Sequence, residues 1–196
     1  MSTLSDGMRA TLIDVARFSI LSAVHASDSR APEAAAYPQP LRAERATFVS
    51  LQAGEDLRGC CGTLEPHRPL VLDVWQSARA AACEDKRFSP VQPRELDDLE
   101  LEISVLTPLT PLVVSNQREL LAALRPGVDG LYLCLGSRRA TFLPKVWESL
   151  QEPEQFLTQL KNKAGLEEHF WSSDMQWFRY GTERFGALFA TEATCH

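Results

Sequence analysis

Between Leu99 and Val105 the chain alternates without a break: Leu99, Leu101, Ile103 and Val105 are apolar, while Glu100, Glu102 and Ser104 are polar. A period of two puts the two sets on opposite faces of a strand, so this segment needs a core on one side and water on the other. What precedes it limits how the sheet is completed. Residues 46–52 favour strand, Ala53-Gly54-Glu55-Asp56 supplies turn chemistry, and the apolar run resumes at Leu57, which predicts a hairpin whose second arm carries Cys60. Pro66 and Pro69 end that arm, and Leu70, Val74, Ala78 and Ala81 then recur at helical spacing through Cys83. The small residues on this helix suit close packing against a sheet.

The same order recurs downstream. Residues 131–135 and 140–143 flank Gly136-Ser137-Arg138-Arg139 as a second hairpin, and Pro144 ends its second arm. A helix from about Pro153 to Ala164, with Gly165 as its left-handed cap, leads to a strand over 175–180. Residues 46–106 and 129–180 therefore both read hairpin, helix, strand. Connections this short favour antiparallel sheets, because each parallel pair needs a crossover. The expected fold is α+β within one domain over residues 1–196. It has two unequal lobes of mainly antiparallel sheet, approximately 46–110 and 111–181, and an N-terminal helix over 5–26.

That helix is read from Met8, Leu12, Val15, Ala16, Ile20 and Ala23, which follow at three- and four-residue steps. Pro32, Pro38 and Pro40 make 27–45 a surface connection, and Ser115 is expected to N-cap a short helix carrying Leu120, Leu121 and Leu124. Residues beyond Tyr180 read as a weakly organised tail. A groove between two such lobes is the natural place for a ligand.

Composition removes several function classes. The net charge of −6 argues against broad phosphate-backbone binding, which depends on Lys and Arg neutralising phosphates, so nucleic acid is not an expected partner. The five cysteines, Cys60, Cys61, Cys83, Cys134 and Cys195, form no C-x-x-C pair, a pattern of reduced thiols. No run approaches the roughly 18 apolar residues of a membrane span, and no leader-like segment opens the chain; the expectation is a cytoplasmic protein without a membrane partner. The histidines and cysteines show no metal-ligand spacing and no phosphate-binding glycine motif is present, so neither metal nor cofactor is expected.

One stretch combines backbone licence with a nucleophile: Leu57-Arg58-Gly59-Cys60-Cys61-Gly62-Thr63-Leu64. Glycine permits close approach of another group, so Gly59 and Gly62 are read as giving the Cys60 thiol room in the floor of a cleft. An ordinary thiol, with a pKa of about 8.5, is only a few per cent thiolate at neutral pH, and a neighbouring cation raises that share. On a regular strand positions 58 and 60 share a face, which makes Arg58 the candidate assistant of Cys60. His67, oriented by Asp73 or Asp85, is a further candidate as the base of a Cys-His pair. The competing reading is that Cys60 is a small packed residue, since free cysteines are among the most buried. Glu100 and Glu102 are most simply the solvated face of their strand, and Trp171 and Trp177 are read as packing.

The Leu57–Thr63 run resembles the L-R-G-C-x-G-T motif of the AMMECR domain family. Further motifs of that family are matched by Ala78 to Pro90, with its D-x-R-F-x-P turn, and by Glu95 to Pro108, Leu143 to Val146 and Lys163 to Leu166. Cys61 stands where the family usually has a branched aliphatic residue. The resemblance implies a compact α+β architecture of two unequal subdomains with a groove near the L-R-G-C run. Bacterial members are the A proteins of AmmeMemoRadiSam systems, which implies partnership with a Memo-type protein, similar to metal-dependent extradiol dioxygenases, and with a radical SAM enzyme. Arg58, Arg87, Lys145 and Lys163 lie within or beside family motifs and are candidates to converge on an anionic ligand. The groove set expected from all this is Arg58, Gly59, Cys60, Gly62, Thr63, Arg87 and Lys145.

Two functional readings stay open. In one, a groove-bearing binding or assembly component docks a peptide, metabolite or protein partner. In the other, an enzyme uses Cys60 as nucleophile with Arg58 stabilising the thiolate or an anionic substrate.

Overall fold

In the computed structural model, which describes residues 3–27 and 29–189, the chain opens with helix α1 (Asp6–Val24). Ser5 caps it by accepting a hydrogen bond from the Met8 N–H at 3.3 Å, and Leu12, Ala16 and Ile20 line its fully buried face. The segment expected as a plain connection contains a 3-10 turn at Ala34–Ala36 and a short helix, α2 (Gln39–Arg42). Pro40 suits the first turn of a helix, and Leu41, 1 % exposed, anchors it to the core. Strands β1 (Thr47–Ala53) and β2 (Asp56–Gly62) form the first hairpin, turning through Gly54 at φ +62°. Helix α3 (Leu70–Cys83) and a 3-10 turn at Pro93–Asp98 lead to β3 (Leu99–Leu106), whose alternating apolar set is buried to 1 % exposure or less.

After β4 (Thr110–Leu112) comes α4 (Gln117–Ala123), capped by Asn116 and not by Ser115. The Asn116 amide oxygen accepts from Glu119 N at 3.0 Å, while Ser115 donates its own N–H to the Glu119 carboxylate at 2.8 Å. Glu119 thus ties both residues to the helix start, its N–H capped by Asn116 and its carboxylate reaching back to the Ser115 N–H. The second hairpin is β5 (Gly130–Leu135) with β6 (Arg138–Phe142), followed by a 3-10 turn at Pro144–Glu148, α5 (Pro153–Lys163) and β7 (Gln176–Tyr180). Phe156 is at the centre of this core, stacked on Trp147 with ring centroids 3.8 Å apart.

The described part of the expected tail contains a strand, β8 (Thr182–Leu188), which takes the outer place beside β3; residues 190–196 lie outside the described residues. Two features hold it there. Gly186 lets the backbones approach so closely that a Cβ would lie 2.4 Å from the Leu101 carbonyl oxygen, and Glu183 accepts from Arg9 Nη2 at 3.0 Å and from Leu4 N at 3.0 Å. The sheet orders are β2-β1-β3-β8 and β4-β7-β5-β6. In each, the strand after the helix pairs antiparallel with the first arm of the preceding hairpin, so the repeated hairpin-helix-strand unit is a repeat of topology. By their contacts the described residues fall into two units, one running to Leu106 and resuming at Glu183, the other Thr107–Thr182. No helix among the described residues is long and apolar enough to cross a membrane.

Candidate functional site

β2 is an edge strand, and a free edge leaves every second backbone N–H without a strand partner. Its register against β1 runs Val49↔Cys61, Ser50↔Cys60 and Leu51↔Gly59, then slips to Gln52↔Leu57, leaving Arg58 without a counterpart. This bulge breaks the simple alternation that would set Arg58 and Cys60 on one face. Gly59 is buried against α3, where a Cβ would meet the Ala81 carbonyl oxygen at 2.1 Å. A Cβ on Gly62 would lie 2.1 Å from the Thr47 carbonyl oxygen. Both glycines thus admit neighbouring backbone, and the space beside each is filled by protein.

Cys60 points away from α3, half-buried, and its Sγ accepts a hydrogen bond from Ser50 Oγ across the hairpin at 3.3 Å. Its backbone N–H, on the free edge, donates to Asp85 Oδ2 at 2.9 Å. Asp85 follows directly on α3 and binds Arg87 twice through side chains, Nε to Oδ1 at 2.9 Å and Nη2 to Oδ2 at 2.6 Å, and once through the Arg87 N–H at 3.2 Å. These bonds, led by the Arg87 guanidinium, hold the Asp85 carboxyl well below the usual carboxylate range, and Asp85 in turn raises the pKa of Arg87. Arg58 forks onto Glu95, Nε to Oε1 at 2.8 Å and Nη2 to Oε2 at 3.2 Å. Arg58, with help from Gln92 N–H at 2.7 Å, lowers the Glu95 pKa. Both guanidinium groups of the edge are therefore already matched by carboxylates. Burial pushes the Cys61 and Cys83 thiols up, away from the reactive thiolate.

The Cys-His pair is not assembled. His67 donates from Nδ1 to the Glu65 carbonyl at 2.9 Å, and its Nε2 accepts from Arg68 Nε at 3.0 Å. Asp73, 1 % exposed, accepts from Thr47 N at 2.9 Å, Thr47 Oγ1 at 2.6 Å and Thr63 Oγ1 at 3.5 Å, and pairs with Arg68 at 3.4 Å. Burial raises its pKa, and the Thr47 hydrogen bonds oppose that rise. Of the four basic candidates, Arg58 and Arg87 belong to the first unit and Lys145 and Lys163 to the second. Lys145 lies in the turn Pro144–Glu148, and Lys163 donates to the Thr141 carbonyl at 3.0 Å with its ammonium 5.1 Å from the Phe142 ring centre. Trp171 and Trp177 stack on each other at 5.9 Å in the core of that unit. Glu102 pairs with Arg184 of β8 at 3.0 Å. No three His, Cys, Asp or Glu residues gather as metal ligands among the described residues.

Sequence reasoning missed two partners that define this edge: Asp85 as the cap of the Cys60 N–H, and Glu95 as the counter-ion of Arg58. The i, i+2 spacing of Asp85 and Arg87 in a turn was the available signal for the first. Nothing local signals the second, because 58 and 95 meet only through the fold.

The AMMECR1 family profile matches residues 13–185. A protein of Methanothermobacter thermautotrophicus is 37 % identical over 182 residues, covering 89 % of this chain and 92 % of its own. A protein of Thermotoga maritima is 37 % identical over 151 residues, covering 76 % and 82 %. The crystal structure of the uncharacterized protein PH0010 from Pyrococcus horikoshii superposes with a TM-score of 0.81 at 30 % identity, covering 90 % of this chain and 89 % of that one.

Proposed function

This chain belongs to the AMMECR1 family, and on that footing we propose that it is a cytoplasmic binding and assembly component that acts with a Memo-type protein and a radical SAM enzyme. The observation that carries this reading is the state of the β2 edge. Arg58 is held by Glu95, Arg87 by Asp85, and the Cys60 N–H by Asp85, so the charged groups around the thiol are organised to shape and neutralise a surface. A surface of fixed shape and paired charge serves recognition, because its side chains are already ordered before a partner arrives. The groove residues in this reading are those of the first unit, Arg58, Gly59, Cys60, Gly62, Thr63 and Arg87, and the occupant is a peptide, a small molecule or a partner protein. Tagged protein expressed at native level should recover a Memo-type or radical SAM partner. Recovery of neither, under conditions in which those partners are expressed, refutes the proposal.

A second reading follows from one contact. Ser50 Oγ donates to Cys60 Sγ at 3.3 Å, which fixes the orientation of the thiol on the edge strand. On this reading Cys60 is the nucleophile of a cysteine-dependent enzyme, with Arg58 released from Glu95 to meet an anionic substrate. Labelling of Cys60 by a thiol-reactive probe across pH separates the two. Reaction no faster than in the unfolded chain removes the enzymatic reading.

A further inference from the structure

We propose that the cleft between α1, α3 and the 30–37 segment is a binding site for a small planar aromatic monocarboxylate. The cleft lies in the first unit, is an open depression of about 340 Å³, and is lined by Phe18, Tyr37, Trp75 and Val15 among others. That volume is at the lower end of the roughly 300–1,000 Å³ typical of small-molecule pockets. Trp75 is 6 % exposed and Phe18 is 56 % exposed, their ring centres 5.7 Å apart and their planes tilted by 49°. A helix that ends up with a phenylalanine more than half in water, beside a buried indole, leaves an unsatisfied aromatic surface. Offset or edge-on contact with another ring would cover it.

The rim selects the charge. Arg30 lines the cleft and makes no hydrogen bond or ion pair among the described residues, so its guanidinium is available for bidentate binding of a carboxylate. Asp14 also lines the rim but already faces Arg17, Nη1 to Oδ1 at 3.7 Å. Its negative charge disfavours a second anionic group on the ligand. Rings to cover, one free guanidinium and one opposing carboxylate together specify an aromatic body with a single acid group. A cationic amine is disfavoured by Arg30, and an aliphatic acid leaves the rings without a partner.

Phenylacetate and phenylethylamine have similar ring size and opposite charge, which makes them the test pair against the full chain. The readout is the indole N–H resonance of Trp75 in NMR spectra, assigned by its loss in Trp75→Phe. Phenylacetate should shift that resonance saturably, with phenylethylamine at least about tenfold weaker. Arg30→Gln, at an exposed position, should weaken phenylacetate at least about tenfold without changing the far-UV circular dichroism. Arg30→Glu should reverse the preference between the two probes. The proposal is overturned if phenylacetate produces no saturable shift up to about 10 mM, the weakest binding expected of a ligand this small. It is equally overturned if the amine binds as well as the acid, or if Arg30→Gln leaves phenylacetate affinity unchanged.

Discussion

Gly59→Ala distinguishes a glycine that opens a crevice from one that lets two backbones touch. The added methyl would lie 2.1 Å from the Ala81 carbonyl oxygen and 3.1 Å from its carbon, and ordinary contact begins at 3.4 Å. Both neighbours are main-chain atoms, so no rotamer change relieves the clash; α3 and β2 must move apart by a little over an ångström. A gap of about 1 Å forfeits a quarter to a half of each dispersion contact it opens, and α3 also seals the core against β1 and α1. Overpacking of this kind costs about 3 kcal/mol, a large share of the roughly 5–15 kcal/mol that holds a domain together. With an m value of about 2 kcal/mol/M, the urea midpoint of the first unit should fall by about 1.5 M. Trp75 fluorescence reports that unit, while Trp147, Trp171 and Trp177 report the other. The control is Gly7→Ala, where nothing lies within 4 Å and the helix should be unchanged or steadier by up to about 1 kcal/mol. If Gly59→Ala costs less than about 1 kcal/mol, the contact with α3 is not the reason for glycine there, and the reasoning fails.

Asp85→Asn should destabilise the first unit by about 1–2 kcal/mol near neutral pH, because it weakens the cap on the Cys60 N–H and leaves Arg87 without its counter-ion. The Asp85 carboxyl is depressed in the folded state, so its contribution is complete above the ordinary value of 3.8 and is lost as pH falls through the folded value. The gap between wild type and variant in urea titrations should therefore narrow in strong acid, and a gap that is constant from pH 6 downward contradicts the assignment. Asp73→Ala strands the buried Thr47 N–H and should cost about 2–4 kcal/mol by the same measurement; a loss below about 1 kcal/mol shows that water takes the carboxylate's place. Lys161 is fully buried, donates to Gln117 Oε1 at 2.6 Å and to the Glu168 carbonyl at 2.8 Å, and has its pKa lowered by desolvation. Lys161→Met should lower the stability of the second unit by about 1–3 kcal/mol at neutral pH. Because the folded state releases the Lys161 proton first, wild type should gain on the variant as pH rises towards 10.5, and a difference that shrinks over that range contradicts the shift.

Much of the secondary structure was legible because it rests on local physics. The period of two in β3, the three-to-four steps of α1, the prolines bounding the hairpins and the left-handed Gly165 at φ +70° each express a rule that operates within one or two turns of chain. The cap of α4 was missed by one residue because Ser115 and Asn116 are both competent caps, and the choice depends on which backbone the helix extends. α2 was missed because its short run shows no period; Leu41 is helical because it is pinned to the core.

Within the site, residue identities were readable and relations were not. Leu57 to Thr63 marked itself by its glycines and thiols, yet what those glycines admit, Ala81 and Thr47, lies on other elements. The bulge at Arg58, its ion pair with Glu95 and the placement of β8 beside β3 likewise join residues far apart in the chain. Alone, this sequence determined the periods, turns and caps, hence an α+β chain with a hairpin-helix-strand theme stated twice. Only the tertiary structure decided which edges stay open, which charges meet and what fills the space beside each glycine, because those outcomes depend on through-space contacts whose free energy exists only once the chain has closed on itself.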